Sequence, residues 1–470
     1  FPIMKIKLFL GTLLLSFTVY SQSFTKAPAL PNISNIDNRT VVAEDIDNNS
    51  WPDMVFTTRG SGRNFIFYNY RGKYVQAPST NSIASNNSNT SMASVADFNN
   101  DCLMDFYITV GGGGVGSTRS SNLMFEASSV NSYLQVFSSG ATIRSRTTSG
   151  ATWVDLDEDG DIDLYVYNSS NQKNEYYENT GNNTFLEVDT LGFTSDAKTT
   201  QHVSFIDYDG DGDLDNFQAN NGFDNLLFRN DDSVMTKITT GKIVNDQGSS
   251  FSSAWADYDN DGDFDLYVSN SSNEKNFLYR NDDTAGFTKI TAGPAVNDFA
   301  KTVCSAWFDF NNDGYLDIFN TNNGRNKLYK NNGNGTFSLV NAGKLTTDIE
   351  KSTSVGITDL NRDGYEDVVI STRNGTPSIY INTASGNSYL NVNLLGTQGK
   401  ASALNAEVKV KADISGSGSE WIYRQVVNAI GKNSQSTHKA HFGLGSATKV
   451  DSLVVKWVDG TRCTFTNVAV

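Results

Sequence analysis

Asp257-Tyr258-Asp259-Asn260-Asp261-Gly262-Asp263-Phe264-Asp265 places carboxylates at loop positions 1, 3, 5 and 9. Alternate residues of a tight loop can turn Asp257, Asp259 and Asp261 inward together, and Gly262 permits the sharp turn. Asp263 offers a backbone carbonyl at position 7, and Asp265 closes the set from the start of the next strand. A hard divalent cation wants six to eight oxygens at about 2.3–2.6 Å, so the stretch reads as a calcium cage.

The same loop recurs, with first residues Asp45, Asp97, Asp155, Asp207, Asp257, Asp309 and Asp359. A spacing near 50 residues signals a repeat architecture. The candidate ligand sets are Asp45, Asp47, Asn49, Asp53; Asp97, Asn99, Asp101, Asp105; Asp155, Asp157, Asp159, Asp163; and Asp207, Asp209, Asp211, Asp215. They continue with Asp257, Asp259, Asp261, Asp265; Asp309, Asn311, Asp313, Asp317; and Asp359, Asn361, Asp363, Asp367. Asn alone replaces Asp, which keeps an oxygen ligand while lowering the charge. An EF-hand would need Glu at position 12 and flanking helices. Position 12 here is Phe56, Ile108, Val166, Gln218, Val268, Asn320 or Ile370, so EF-hands are excluded. The expected affinity is the weak one of extracellular modules, about 10⁻⁴–10⁻³ M, with structural occupancy.

Apolar residues flank every loop, Tyr258 and Tyr267 among them, and predict strands on both sides. A second signature follows each loop: Asn64 to Asn69, Asn174 to Asn179, Asn225 to Asn230, Asn276 to Asn281 and Asn326 to Asn331. Asn122-Leu-Met-Phe stands late in the second repeat, and Pro377 to Asn382 is a degenerate copy in the seventh. A turn such as Asn334-Gly335 then leads to a further short strand, giving four per repeat. Seven four-stranded units predict an all-β, seven-bladed calcium-binding β-propeller. The seventh repeat lacks its own fourth strand, and Ser23-Phe24-Thr25-Lys26 resembles Gly286-Phe287-Thr288-Lys289 of repeat five. The N-terminal strand is therefore expected to complete the last blade.

The domains expected are a secretory signal peptide over 1–21, the propeller over 22–384 and a small β-rich domain over 385–470. Lys5 and Lys7 precede the apolar run Leu8 to Leu15, with small residues near Ser21, and no transmembrane segment is expected. The mature protein is expected to be secreted or at the cell surface. The tail alternates polar and apolar residues over Leu390 to Leu394, Val408 to Ala412 and Leu453 to Trp457, with a turn at Asp459-Gly460.

The formal net charge of −16 excludes a nucleic-acid partner, because phosphate binding needs clustered Lys and Arg. Seven divalent ions would neutralise most of that excess. Cys102, Cys304 and Cys463 imply no disulfide framework, and buried filler rather than a catalytic thiol is the expected role of Cys102 and Cys304. The insertion Gly111 to Arg119 lacks a Gly-Lys-Ser/Thr ending, so it reads as a surface loop and a candidate contact surface rather than a phosphate cradle. His202, His438 and His441 are the only histidines, and a structural hydrogen bond is expected at His441. Glu44, Glu158 and Glu366 stand beside or inside the loops, where they would tune the local field. Remaining carboxylates form no acid–base constellation, so no catalytic residue is assigned.

The seven loops and the Asn-x-Leu-Tyr-x-Asn strands resemble the FG-GAP/VCBS-type repeats of calcium-bearing propellers in integrin α-subunits and bacterial secreted proteins. His441-Phe442-Gly443-Leu444-Gly445 and Val450-Asp451 to Asp459-Gly460 resemble the ASPIC/UnbV domain, which follows such repeats in proteins similar to cartilage acidic protein. Where that family has a Gly-x-Gly-Ala turn, this chain reads Ala403-Leu404-Asn405-Ala406. The resemblance implies a non-enzymatic binding or adhesion module for an extracellular protein or glycan, in a Gram-negative bacterium. The alternatives weighed are a calcium-dependent polysaccharide lyase or hydrolase, and a structural component of an outer-membrane or surface assembly.

Overall fold

The computed structural model describes residues 5–9, 24–60, 63–86, 88–111, 120–395, 403–458 and 460–470. Most of the expected signal peptide, the glycine-rich insertion at 112–119 and Asp459 lie outside them. Lys5–Phe9 is a strand paired antiparallel with Ser388–Leu395.

Repeat five shows how the sequence becomes a blade. Gly248–Ala256 pairs with Asp265–Asn270, which pairs with Phe277–Asn281, which pairs with Phe287–Ile290, all antiparallel. The acidic loop joins the first two strands, in register from Ala256↔Asp265 outward. Six other four-stranded meanders of this kind are present among the described residues, giving a propeller-like arrangement. In the seventh, Phe24–Lys26 pairs with Ser378–Asn382 as the fourth strand, as the sequence predicts.

Each repeat buries its apolar faces against the next. One cluster joins Ala96, Phe98 and Tyr107 of repeat two to Trp153 and Leu164 of repeat three. Another joins Val41, Met54 and Phe56 of repeat one to Leu360, Val369 and Ile379 of repeat seven. The last repeat thus packs on the first through side chains that are fully removed from water, which is the dominant favourable term in such an interface.

A bulge recurs near the start of the first strand, between Thr200 and His202, Ser250 and Ser252, and Thr302 and Cys304 among others. Bulges re-aim side chains. Gln201 and Phe251 are thereby left without a cross-strand partner.

The C-terminal domain has two sheets. One pairs Ser388–Leu395 with Lys439–Gly445, and the other orders Glu420–Gln425, Glu407–Ala412, Lys449–Lys456 and Arg462–Ala469. Leu390, Val408, Phe442 and Leu453 lie in their common core. The turn at Ala403 to Ala406 is kept, with Asn405 at φ 65° taking the left-handed place and its N–H donating to the Val426 carbonyl at 2.7 Å. Leu404 reaches the cluster between repeats two and three.

Residues 427–438 leave this domain and thread the repeats. Asn428 Oδ1 accepts from Ser94 Oγ at 2.8 Å and Trp153 N at 3.3 Å, and Lys432 donates its side chain to Gln201. Lys432 N donates to Ser252 Oγ at 3.0 Å, and Ser434 Oγ lies 3.2 Å from Cys304 Sγ. Val355 N donates to Ser434 Oγ at 3.0 Å, and Ser434–Gln435 pairs parallel with Val41–Val42. These partners are the first strands of all seven repeats. So short a segment can touch them all only if they surround it, so it fills the axis. Gly431 is required there: a Cβ would stand 2.6 Å from the Ser305 carbonyl oxygen and 2.7 Å from Cys304 Sγ. Cys304 is buried, as expected, and its wall position explains why a small side chain stands there, whereas Cys102 is exposed, because it occupies the outer turn of its acidic loop and not a strand.

Candidate metal centres

The acidic loops fold by the same local hydrogen bonds. Asp257 accepts from the N–H groups of Asp261 and Gly262, both at 3.1 Å, and Asp261 accepts from Asp263 N at 3.1 Å. Asp309 accepts likewise from Asp313 and Gly314, and Asp359 from Asp363 and Gly364. Position 1 thus gathers the amides of positions 5 and 6, and the bend this forces turns positions 1, 3 and 5 to one side. Position 4 is left-handed (Asn260, φ 57°) and so is position 6 (Gly262, φ 106°). In the first two loops position 6 is Ser50, at φ 72°, and Cys102, at φ 70°. A side chain in that region costs about 1–2 kcal/mol, partly offset by the greater freedom glycine has when unfolded. Cys102→Gly is expected to raise stability by about 0.5–1 kcal/mol, read as a shift of the denaturation midpoint with calcium present.

Position 9 has a double duty. Asp265 accepts from Tyr258 N at 3.1 Å through Oδ2 and from Asn281 N at 2.8 Å through Oδ1. Asp53, Asp105, Asp215, Asp317 and Asp367 make the same pair of bonds within their own repeats. In repeat three Asp163 adds a bond from the Tyr176 hydroxyl at 2.5 Å.

The ligand atoms of Asp45, Asp47 and Asp53 lie within 4.8 Å of one another, as do those of Asp155, Asp157 and Asp159, of Asp207, Asp209 and Asp215, and of Asp257, Asp259 and Asp265. Each group could hold a metal ion. In the loops with Asn at position 3, the amide donates to the carboxylate at position 5: Asn99 to Asp101, Asn311 to Asp313 and Asn361 to Asp363 at 2.8–3.2 Å. Lys330 Nζ also lies 2.5 Å from Asp313 Oδ2. The sets of repeats three, four and five, with Asp at all four positions, are therefore the more negative ones.

Burial raises the carboxylates at positions 1 and 9. Asp45 and Asp97 are pushed up to about 6, Asp155 and Asp257 to about 7, and Asp53, Asp105 and Asp163 to about 8. Desolvation is the largest cause in each, and in Asp155 and Asp257 repulsion from the other loop aspartates follows it. A divalent ion would remove both penalties by supplying the missing charge.

The second signature, legible in the sequence as a strand, has a further role that only the structure reveals. Asn281 Nδ2 donates to the Tyr208 carbonyl of the preceding repeat at 2.7 Å, and Asn331 Nδ2 donates to that of Tyr258 at 2.7 Å. Asn69 reaches back to Leu360, joining repeat one to repeat seven. This asparagine therefore clips repeats one, three, five, six and seven each to a neighbour's loop while its own N–H holds the position-9 carboxylate. Replacing Asn281 by Ala orphans the part-buried Tyr208 carbonyl and is expected to cost about 1–2 kcal/mol in urea denaturation. The nearly constant spacing, 14 to 16 residues after the position-9 Asp, was the available signal.

The remaining sequence candidates are structural neighbours of the loops. Glu44 is buried and accepts from His438 N at 2.6 Å, holding the axial segment. His441 bonds Asn391 Oδ1 and Asn312 Oδ1, each at 2.7 Å, and burial lowers its pKa to about 3. Gly443 packs against Asp309 and Asn312, where a Cβ would overlap both. Arg424 of the C-terminal domain is buried in the field of Asp309, Asp257 and Glu366. His202 bonds Ser253 Oγ at 2.8 Å.

A propeller-like all-β protein with acidic loops at one end of its blades is the class that fold and site define. Residues 45–108, 155–217, 207–268, 257–320 and 309–370 match the FG-GAP-like repeat family, and residues 396–470 match ASPIC and UnbV. The chain belongs to the FG-GAP-like repeat family and carries a C-terminal ASPIC/UnbV domain. No curated protein matches it. Among solved structures, it resembles BBS1N in its complex with ARL6DN, at 9% identity and a TM-score of 0.50, covering 78% of this chain and 98% of that one. It also resembles an Agrocybe aegerita lectin recognising non-reducing terminal N-acetylglucosamine, at 15% identity and a TM-score of 0.48, covering 67% and 81%. No helix among the described residues is long and apolar enough to cross a membrane.

Proposed function

We propose that the chain is a seven-bladed calcium propeller working outside the cell as a non-enzymatic binding module for protein or carbohydrate. The observation that carries this reading is the use made of the aspartates. Those at positions 1 and 9 are spent on the amides that shape each loop and tie it to the third strand, so calcium there would brace the scaffold rather than act on a substrate. All 28 candidate ligands would serve in this way, up to seven ions in total. The histidines support the same reading, because His202 and His441 are held in buried hydrogen bonds and His438 faces Glu44. Export follows from the leader at 1–21, and N-terminal sequencing of secreted protein would read its removal.

A carbohydrate and protein array, scored for bound ligand and for released product, tests the function. Retention without product is expected. Released oligosaccharide would establish the lyase or hydrolase alternative instead.

A further inference from the structure

The mouth of the axis away from the acidic loops collects positive charge in a protein whose net charge is −16. Lys432 stands at the tip of the axial segment. Its ammonium donates to the Gln201 side chain and lies 4.0 Å from the centroid of the Phe251 ring. Both partners are the bulge residues of their strands, turned out of the ladder. No described carboxylate pairs with Lys432. Arg39 opens the first strand of repeat one, and Arg59 stands across the ladder from Asp37. Ile36 exchanges hydrogen bonds with Gly375, which brings Arg373 of repeat seven alongside, its N–H bonded to the Lys351 carbonyl at 2.8 Å.

Five cations thus converge from two repeats and the C-terminal domain. Asp37 is the carboxylate among them, at 2.6 Å from Arg39 Nη2, while Glu350 beside Lys351 is turned to Lys26 at 2.8 Å. Arg59, Lys351 and Arg373 form no ion pair with a described residue, and the buried Nε of Arg39 has no partner. Burial first, and the fields of Arg39 and Arg373 after it, press the Lys432 ammonium down to about 7, a cost that an anion at this mouth would relieve.

Lys351 and Arg373 also line a groove of about 450 Å³ with Thr372, Asn374, Thr376 and Ser378. That size is in the range of ligand sites. Its wall sets these hydroxyls and the Asn374 amide beside Ala27, Ala29, Ile349, Pro377 and the paired Lys26 and Glu350. No deep apolar pocket opens in it, whereas a peptide partner would need one to seat an anchoring side chain. We propose that this groove and the mouth beside it bind an acidic oligosaccharide, with the sugar against repeat seven and its carboxylate or sulfate among Lys432, Arg39 and Arg373. Guanidinium groups suit this, since their paired N–H donors match a carboxylate or sulfate edge. The C-terminal domain then does more than cap the blades, because it delivers the central cation of the site.

The inference rests on the carbohydrate branch of the proposed function. Its test is calorimetric titration of the full calcium-loaded chain with oligogalacturonate, with the methyl ester of the same oligomer, and with poly-glutamate. Salt-sensitive binding of the acid is expected, with the ester at least about tenfold weaker. The exposed pair Lys351→Ser/Arg373→Ser, and separately Lys432→Met, should each weaken the acid on the order of tenfold while the melting midpoint of the exposed pair stays unchanged. Equal affinity for acid and ester, or tighter binding of poly-glutamate, would overturn the proposal. Acid binding untouched by the variants would remove this site and leave the carbohydrate reading standing, whereas an array on which no glycan binds would remove both.

Discussion

Removing calcium with EGTA at pH 8 is expected to produce the largest loss of stability available to this protein. At a free concentration ten times the dissociation constant, each site contributes about 1.4 kcal/mol, so seven would contribute on the order of 10 kcal/mol. The effect should depend on pH in a defined direction. In the ion-free chain, burial raises the loop aspartates from 3.8 to about 8 at Asp53 and Asp105. A carboxylate raised on folding keeps its proton in the folded state after the unfolded state has lost it. Ion-free stability should therefore be highest near pH 4 and decline as pH rises through 8. Calcium added to the ion-free chain should shift the melting midpoint little at pH 5, where these groups hold protons, and most at pH 8. A midpoint that EGTA leaves unmoved at pH 8 would refute structural calcium.

Deleting Gln22 to Ala29 from a chain that already lacks residues 1–21 is expected to have the second largest effect, because it opens the ring of blades. The deletion removes Phe24, which is 5% exposed and packed with Phe310, Leu345 and Tyr380. It also removes the strand pairing with Ser378–Asn382 and the two ion pairs from Lys26 to Asp348 and Glu350. Burial of one such ring is worth about 1.5–3 kcal/mol, and the exposed strand edge loses its hydrogen bonds as well, so the total loss should be about 5 kcal/mol. Melting of the chains with and without this segment, in calcium, reads it. Adding the missing segment as a free peptide should restore part of the loss, which a merely unfolded variant would not show.

The C-terminal domain ties the same ring from within. Its axial segment bonds the first strand of every repeat, and its Arg424 stands in the field of acids from three loops. Blades and cap are thereby coupled, and the cation that the cap delivers at the far mouth depends on a glycine that only the crowding at Ser252, Cys304 and Ser305 explains.

Much of this was legible in the residues themselves. The loop at Asp257 to Asp265 folds through bonds between residues two to seven apart, so its pattern is contained in nine consecutive positions and can be read wherever it recurs. The ring closure was legible too, because Phe24-Thr25-Lys26 repeats the residues of Phe287-Thr288-Lys289 and so shows the strand that the seventh blade lacks. The clip from Asn281 to the Tyr208 carbonyl was not, since the asparagine marks a strand in the sequence while its partner is a backbone atom in another repeat. Neither was the path of residues 427–438: their run of small polar side chains looks like any surface loop, and only closing the ring creates the polar wall that makes burying them favourable. Local hydrogen bonding determined the loops and the repeats from sequence alone, whereas the staples, the filled axis and the cationic mouth were decided by the tertiary structure, because each joins groups that only the packing of separate blades brings together.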